Sequence, residues 1–122
     1  MKKMRLYGTC SALGALTVTG ERSISGLLVA IKYLDTSFAE GADIVISTTS
    51  ADGLNTNLLT ITDGDASATY YPRHVVHSEA GAALTGTAGG DRTMPLLEGV
   101  PKMVVADGGN GGVGGVILYW LE

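Results

Sequence analysis

Two apolar runs of β type, Lys102–Ala106 and Val113–Glu122, flank the segment Asp107-Gly108-Gly109-Asn110-Gly111-Gly112. This arrangement predicts a terminal β-hairpin whose last strand is held inside a sheet, because a loose tail would not be so apolar. Glycine suits the turn, since it reaches positive φ without steric cost, whereas Gly114 and Gly115 weaken the strand that follows. With 18 glycines in 122 residues, the chain carries about twice the usual ~7% share. A sheet so rich in glycine owes much of its stability to its neighbours. No catalytic group lies near this segment, so it points to a structural module before an enzyme.

Strand signals recur upstream, and helix signals are scarce. Leu13–Thr19 alternates, with Leu16 and Val18 on one face. Ser23–Leu34 is the longest apolar stretch. Ile24, Gly26, Leu28, Ala30, Lys32 and Leu34 share one of its faces; Leu27, Val29, Ile31 and Tyr33 share the other. Both faces are apolar, which predicts a central strand buried on both sides or a strand at a subunit contact. A helix is the rival, but Gly26 and the Ser-Ile-Ser start favour the strand. Ala42–Thr49 sets Ile44 and Ile46 against Asp43, Val45 and Ser47, and Leu54–Thr62 is a further strand closed by Asp63-Gly64-Asp65. Ala66–Tyr71, Arg73–Ser78, Met94–Leu97 and the two terminal runs complete the set. Ala80–Asp91, small and glycine-rich, is expected to be a flexible loop or arm. The fold class expected is all-β, a single antiparallel β-sandwich or jelly-roll-like domain over residues 1–122 with about eight or nine strands. Residues 1–12 are read as an N-terminal arm.

Composition narrows the function. Hydrophobic residues make up 45% of the chain, enough for one core, and with one Phe and one Trp that core rests on Val, Ile, Leu and Ala with five Tyr in support. Net charge is −4, and the basic residues Lys2, Lys3 and Arg5 form the only run, so nucleic-acid binding lacks its electrostatic basis. The single Cys10 excludes an intrachain disulfide and fits a reducing compartment. Met-Lys-Lys-Met-Arg mimics the start of a signal peptide, yet Gly8, Thr9, Ser11 and Gly14 interrupt the apolar stretch that should follow. No run approaches the ~18 apolar residues of a membrane-spanning helix.

The chemically suggestive groups each have a simpler explanation. His74 and His77 are spaced as helical zinc ligands, but in an extended segment they point to opposite faces. Asp63 and Asp65, with Asp52-Gly53, are too few for a calcium loop, and turn chemistry accounts for them. No serine lies in a nucleophile elbow, and Cys10 reads as a buried inert thiol. The glycine run lacks the Gly-Lys-Ser/Thr ending and the helix of a phosphate loop. No catalytic, cofactor or metal residue is therefore assigned, and no enzymatic activity is expected. The polar-aromatic cluster Thr69-Tyr70-Tyr71-Pro72-Arg73-His74 is the best interface candidate, because Tyr and Arg are enriched in binding hot spots. The competing reading packs one Tyr in the core and uses Arg73 to cap a strand end.

A sequence of motifs then carries a family resemblance. Gly26-Leu27-Leu28-Val29-Ala30-Ile31-Lys32-Tyr33 is followed by Asp43-Ile44-Val45-Ile46, Leu58-Leu59-Thr60-Ile61-Thr62 and Ala68-Thr69-Tyr70-Tyr71-Pro72-Arg73. Val104-Val105-Ala106-Asp107-Gly108-Gly109 and the closing Tyr119-Trp120-Leu121-Glu122 end the series. From about Gly26 to Glu122 the chain resembles small structural proteins of tailed bacteriophages, encoded among the head genes. The resemblance implies a virion component, foremost a capsid decoration or cement protein on the outside of the shell. Such proteins are β-sandwiches or jelly rolls that sit as homodimers or homotrimers on the major capsid protein, with no active site. The implied partners are therefore the major capsid protein and further copies of the chain, with no cofactor, nucleic acid or membrane. Synthesis in the bacterial host cytoplasm fits one cysteine and no signal. The expected contact residues are Lys2, Lys3 and Arg5, Tyr70, Tyr71 and Arg73, and the exposed side of Tyr119-Trp120. A head–tail connector, tail or baseplate subunit is the nearest alternative, and a carbohydrate-binding sandwich the next. The latter normally needs an aromatic platform that this composition barely supplies.

Overall fold

The computed structural model describes residues 1–50, 55–75, 80 and 92–122. Among them there is no helix, and every main pairing is antiparallel. The strands are β1 (Lys2–Thr9), β2 (Leu16–Thr19), β3 (Ile24–Asp35), β4 (Asp43–Thr49), β5 (Asn55–Ile61), β6 (Ala68–Tyr70), β7 (His74–Val75), β8 (Arg92–Thr93), β9 (Leu96–Ala106) and β10 (Val113–Leu121). One eight-stranded sheet runs β1-β10-β3-β9-β4-β5, with β2 paired to β9 and β6 to β3; β7 and β8 form a separate two-stranded ribbon. The all-β antiparallel expectation holds. The loop expected over 80–91 lies outside the described residues except for Ala80, and Asp52-Gly53 and His77 lie outside them entirely.

Strands from both ends of the sheet feed one core. Leu6 of β1 and Leu58 and Ile61 of β5 belong to the same buried cluster as Leu28, Ile31, Ile44, Ile46, Met103, Val105, Leu118 and Trp120. β1 also lies against β2, which pairs with β9 and not with β1, so the sheet curls over its own inward face. The 1–12 segment is no arm: β1 pairs along its whole length with β10, from Lys2 opposite Trp120 to Thr9 opposite Val113.

Of the two causes expected for the apolar faces of β3, burial on both sides is not what the structure shows. Between Tyr119 and Trp120 the register with β10 shifts, so that Trp120 opposes Leu28 while Tyr119 opposes Ala30, leaving Val29 as an extra residue. Because side chains alternate with a period of two, this bulge exchanges the inward and outward sets. Ile24 and Leu28 face the core before it, and Ile31 and Tyr33 after it. The strand is not sandwiched between two layers; it changes phase.

The terminal strands form, but the hairpin does not. β9 pairs with β4, β2 and β3, whereas β10 pairs with β1 and β3. The segment between them crosses from one part of the sheet to another, tied down by neighbouring loops. Gly108 N–H donates to the Gly14 carbonyl at 2.9 Å, Cys10 N–H to Gly112 at 2.7 Å, and Ala39 N–H to Gly108 at 2.9 Å. Asp107, Gly109 and Gly111 all have positive φ, conformations that a hairpin turn and a crossing can both use. The glycines thus allow backbone to pack on backbone, and no feature of their order distinguishes that from a hairpin.

Met94–Leu97 and Lys102–Ala106, expected as separate strands, belong to the single strand β9, with only Met94 and Pro95 left outside it. Pro101 makes the sequence look broken. Along one side of β9 the partner changes from β3 (Ile24 opposite Gly99) to β2 (Thr19 opposite Lys102). The Pro101 carbonyl accepts Gly20 N–H at 2.7 Å at that changeover. A strand residue directs its N–H and C=O to the same side, so the donor that proline lacks falls toward Gly20, just past the last β2–β9 pair, where the ladder ends.

Candidate interaction surface

The register fixes which side chains share the outer face of β1, β10 and β3. Residues paired across an antiparallel ladder point to the same side of the sheet. Opposite the core-facing row Leu118–Ile31 lie outward rows that can be read directly. Leu121 pairs with Leu27, and Leu27 pairs with Leu96 on β9. Lys3 pairs with Tyr119, which pairs with Ala30. Arg5 pairs with Ile117, Ile117 with Lys32, and Lys32 with Thr69 of β6.

The first row is the unusual one. Leu121, Leu27 and Leu96 are 41%, 39% and 57% exposed and lie side by side on adjacent strands. At the ~4.8 Å strand spacing they form a continuous apolar bar about 10 Å long. Scattered surface leucines are ordinary, but contiguous ones mark contact sites. Lys3, Arg5 and Lys32 are all exposed and lie one and two rows away on the same face. None of them forms an ion pair among the described residues, where the pair that is found joins Lys2 Nζ to Glu122 Oε1 at 3.9 Å. The outward positions of β1, β10 and β3 hold no carboxylate; Glu98, opposite Ser25, lies beyond the leucine bar. The Arg5 guanidinium sits 4.1 Å from the centre of the Tyr7 ring, and the Tyr7 hydroxyl is 2.6 Å from Thr36 Oγ1. That stacking fixes the direction of the Arg5 charge.

The residues expected to make contacts separate into two groups. Lys3, Arg5 and Tyr119 meet on the outer face. Lys2 is on the opposite side of β1, aligned with Trp120. Trp120, expected to show an exposed side, is a core residue at 1% exposure, because the bulge in β3 keeps it in phase with Leu28. Tyr70 opposes Ile31 and packs against the core, whereas Tyr71 is exposed. Arg73 secures the strand end: its Nη1 donates to the Val29 carbonyl at 3.1 Å and to Pro72 at 2.7 Å. It therefore ties the chain after β6 to the bulge of β3, which is the strand-capping reading of that residue. Leu27 and Leu96 were missed because the bulge that turns Leu27 outward leaves no mark in the sequence.

The other chemically suggestive groups serve the backbone. Asp65 Oδ1 accepts Gly41 N–H at 2.9 Å, and Asp43 Oδ1 accepts Asp63 N–H at 3.1 Å. Cys10 is buried, and burial pushes its thiol pKa upward, the condition of an unreactive thiol. His74 is exposed on the short β7. A cleft of about 320 Å³ between β1 and β2 is lined by Arg5, Leu6, Tyr7, Val18, Thr19, Gly20 and Glu21. It contains no nucleophile–base pair.

No family model, curated protein or solved structure matches the chain.

Proposed function

We propose that the chain is a non-enzymatic structural protein of a bacteriophage virion, a capsid decoration or cement protein bound to the outside of the major capsid protein shell. In this reading the curled sheet is a sandwich or jelly roll, and its copies associate as dimers or trimers on the lattice. The observation that carries the proposal is the leucine bar Leu121–Leu27–Leu96 beside Lys3, Arg5 and Lys32, a built contact face with no catalytic group on it. The order of motifs from Gly26 to Glu122 supports the phage assignment, as does a β fold that presents a broad sheet face. A cement protein meets many identical sites, so a modest contact face repeated over a shell gives a large total avidity.

The test is cosedimentation of purified protein with empty shells assembled from the major capsid protein of the same phage. Saturable binding at on the order of hundreds of copies per shell supports the proposal. About a dozen copies at a single vertex would instead mark a connector subunit. Absence of binding, or specific capture by a glycan array, overturns it.

A further inference from the structure

We infer that the outer face of β1, β10 and β3 is the shell-facing side, and that the protein surface it meets is acidic on one side of an apolar patch, opposite Lys3, Arg5 and Lys32. The inference rests on the shell-binding reading and adds to it the orientation of the chain and the chemistry of its partner. Its basis is charge asymmetry. The chain as a whole carries −4, yet the outward positions of these strands gather Lys3, Arg5 and Lys32 with no carboxylate among them; the nearby carboxylates lie at the margins, Glu21 in the cleft beside Arg5 and Glu98 beyond the leucine bar. At strand spacing Arg5 lies about 7 Å from Lys3 and about 10 Å from Lys32, near the ~8 Å screening length at physiological salt, and Lys3 and Lys32 are about 12 Å apart, so Arg5 joins the three into one patch. The leucine bar begins about 7 Å further along the strands, one outward step beyond Tyr119.

That pattern selects among occupants. A second copy docked face to face about a two-fold axis would set cation against cation, which disfavours self-association through this surface. A nucleic-acid backbone would meet the cations but has nothing to cover three aligned leucines. A bilayer calls for apolar side chains that project from the surface, whereas these leucines are half covered within a sheet and the nearby Tyr119 is partly buried. A protein surface with carboxylates along one side of an apolar depression satisfies both features together. Electrostatics of this kind raises the association rate and fixes register, while the apolar bar holds the docked state.

The experiment measures binding to the same empty shells across 0.05 to 0.5 M NaCl, for the wild type and two charge variants. The first is K3E/R5E/K32E; the second, R22E/K102E, reverses exposed or half-exposed cations placed elsewhere. Circular dichroism and Trp120 emission verify that each variant is folded. Wild-type affinity is expected to fall at least tenfold over the salt range. K3E/R5E/K32E is expected to lose at least tenfold at low salt and to lose the salt dependence, with R22E/K102E unchanged. Leu27→Asp is expected to weaken binding at every salt concentration. Wild-type binding indifferent to salt and to face reversal overturns the inference while leaving the shell-binding reading intact. It is a result that the salt series delivers even if the triple variant does not fold. No wild-type binding overturns both. Binding through this face to duplex DNA or to anionic phosphatidylglycerol vesicles, in place of shells, also overturns it.

Discussion

Tyr33 links a single buried hydrogen bond to a pH dependence with a definite sign. Its side chain is fully buried, stacked at 6.3 Å on Phe38, and its hydroxyl donates to the Gly64 carbonyl at 2.9 Å. Burial, followed by the nearby Asp35 carboxylate, pushes its pKa well above the ordinary phenol value. Replacing it by Phe removes the hydrogen bond and leaves the Gly64 carbonyl without that donor, a cost of about 1–2 kcal/mol at pH 7. The folded phenol stays protonated after the unfolded one has begun to ionise. Stability from this group is therefore complete below the unfolded pKa near ~10 and falls above it by about 1.4 kcal/mol per pH unit. Tyr33→Phe lacks that loss. Urea denaturation followed by Trp120 emission at pH 7, 9.5, 10.5 and 11 should show the wild type ahead at neutral pH. The gap should then shrink and close at about pH 11. Titrations common to both proteins cancel in the comparison. A gap that stays constant to pH 11 would refute the argument, because it would mean the folded phenol ionises as readily as the unfolded one.

Other consequences follow from close packing and from groups that lack partners. A Cβ at Gly115 would run into the Leu6 carbonyl and lie 2.6 Å from the Tyr7 Cα, so Gly115→Ala should separate β1 from β10. It is expected to lower unfolding stability by about 3 kcal/mol, measured by chemical denaturation; a loss below about 1 kcal/mol would show that β1 can shift freely. Thr48 is fully buried and its hydroxyl has no partner among the described residues. Thr48→Val should therefore stabilise the fold by about 1 kcal/mol, seen as a higher denaturation midpoint, and a destabilised variant would reveal a hidden partner. Cys10, buried with its pKa raised, should react with a disulfide reagent in the native state at least tenfold more slowly than in urea; equal rates would contradict its burial.

Much of the fold is legible in local pattern. The alternation of Ile44 and Ile46 against Asp43, Val45 and Ser47 sets β4 and its buried face directly, as the structure places them. Strand type along Leu16–Thr19, Ile24–Asp35 and Val113–Leu121 follows from β-branched and apolar residues between turn formers. The turn at Asp63-Gly64-Asp65 follows as well, with Asp63 at φ 52° and its N–H donating to the Asp43 carboxylate, while the Asp65 carboxylate accepts the Gly41 N–H. These are short-range properties, decided within a few residues.

Partner choice is a long-range property, and there the sequence stops. The glycine segment 107–112 permits a hairpin and a crossing alike, and contacts with Gly14, Cys10 and Ala39 select the crossing. Pro101 looks like a strand breaker until the β2–β9 ladder ends beside it. A single extra residue, Val29, decides that Trp120 is buried and Leu27 exposed, and it can be located only against the register of β10. The candidate surface inherits that dependence. Its cations were visible in the chain, but the leucine bar exists only because Leu121, Leu27 and Leu96 come from strands far apart in sequence and meet in register. Sequence alone determined that this protein is a β sheet with one core. Tertiary pairing, through a bulge whose effect depends on a neighbouring strand, decided which of its apolar residues form that core and which are left to meet a partner.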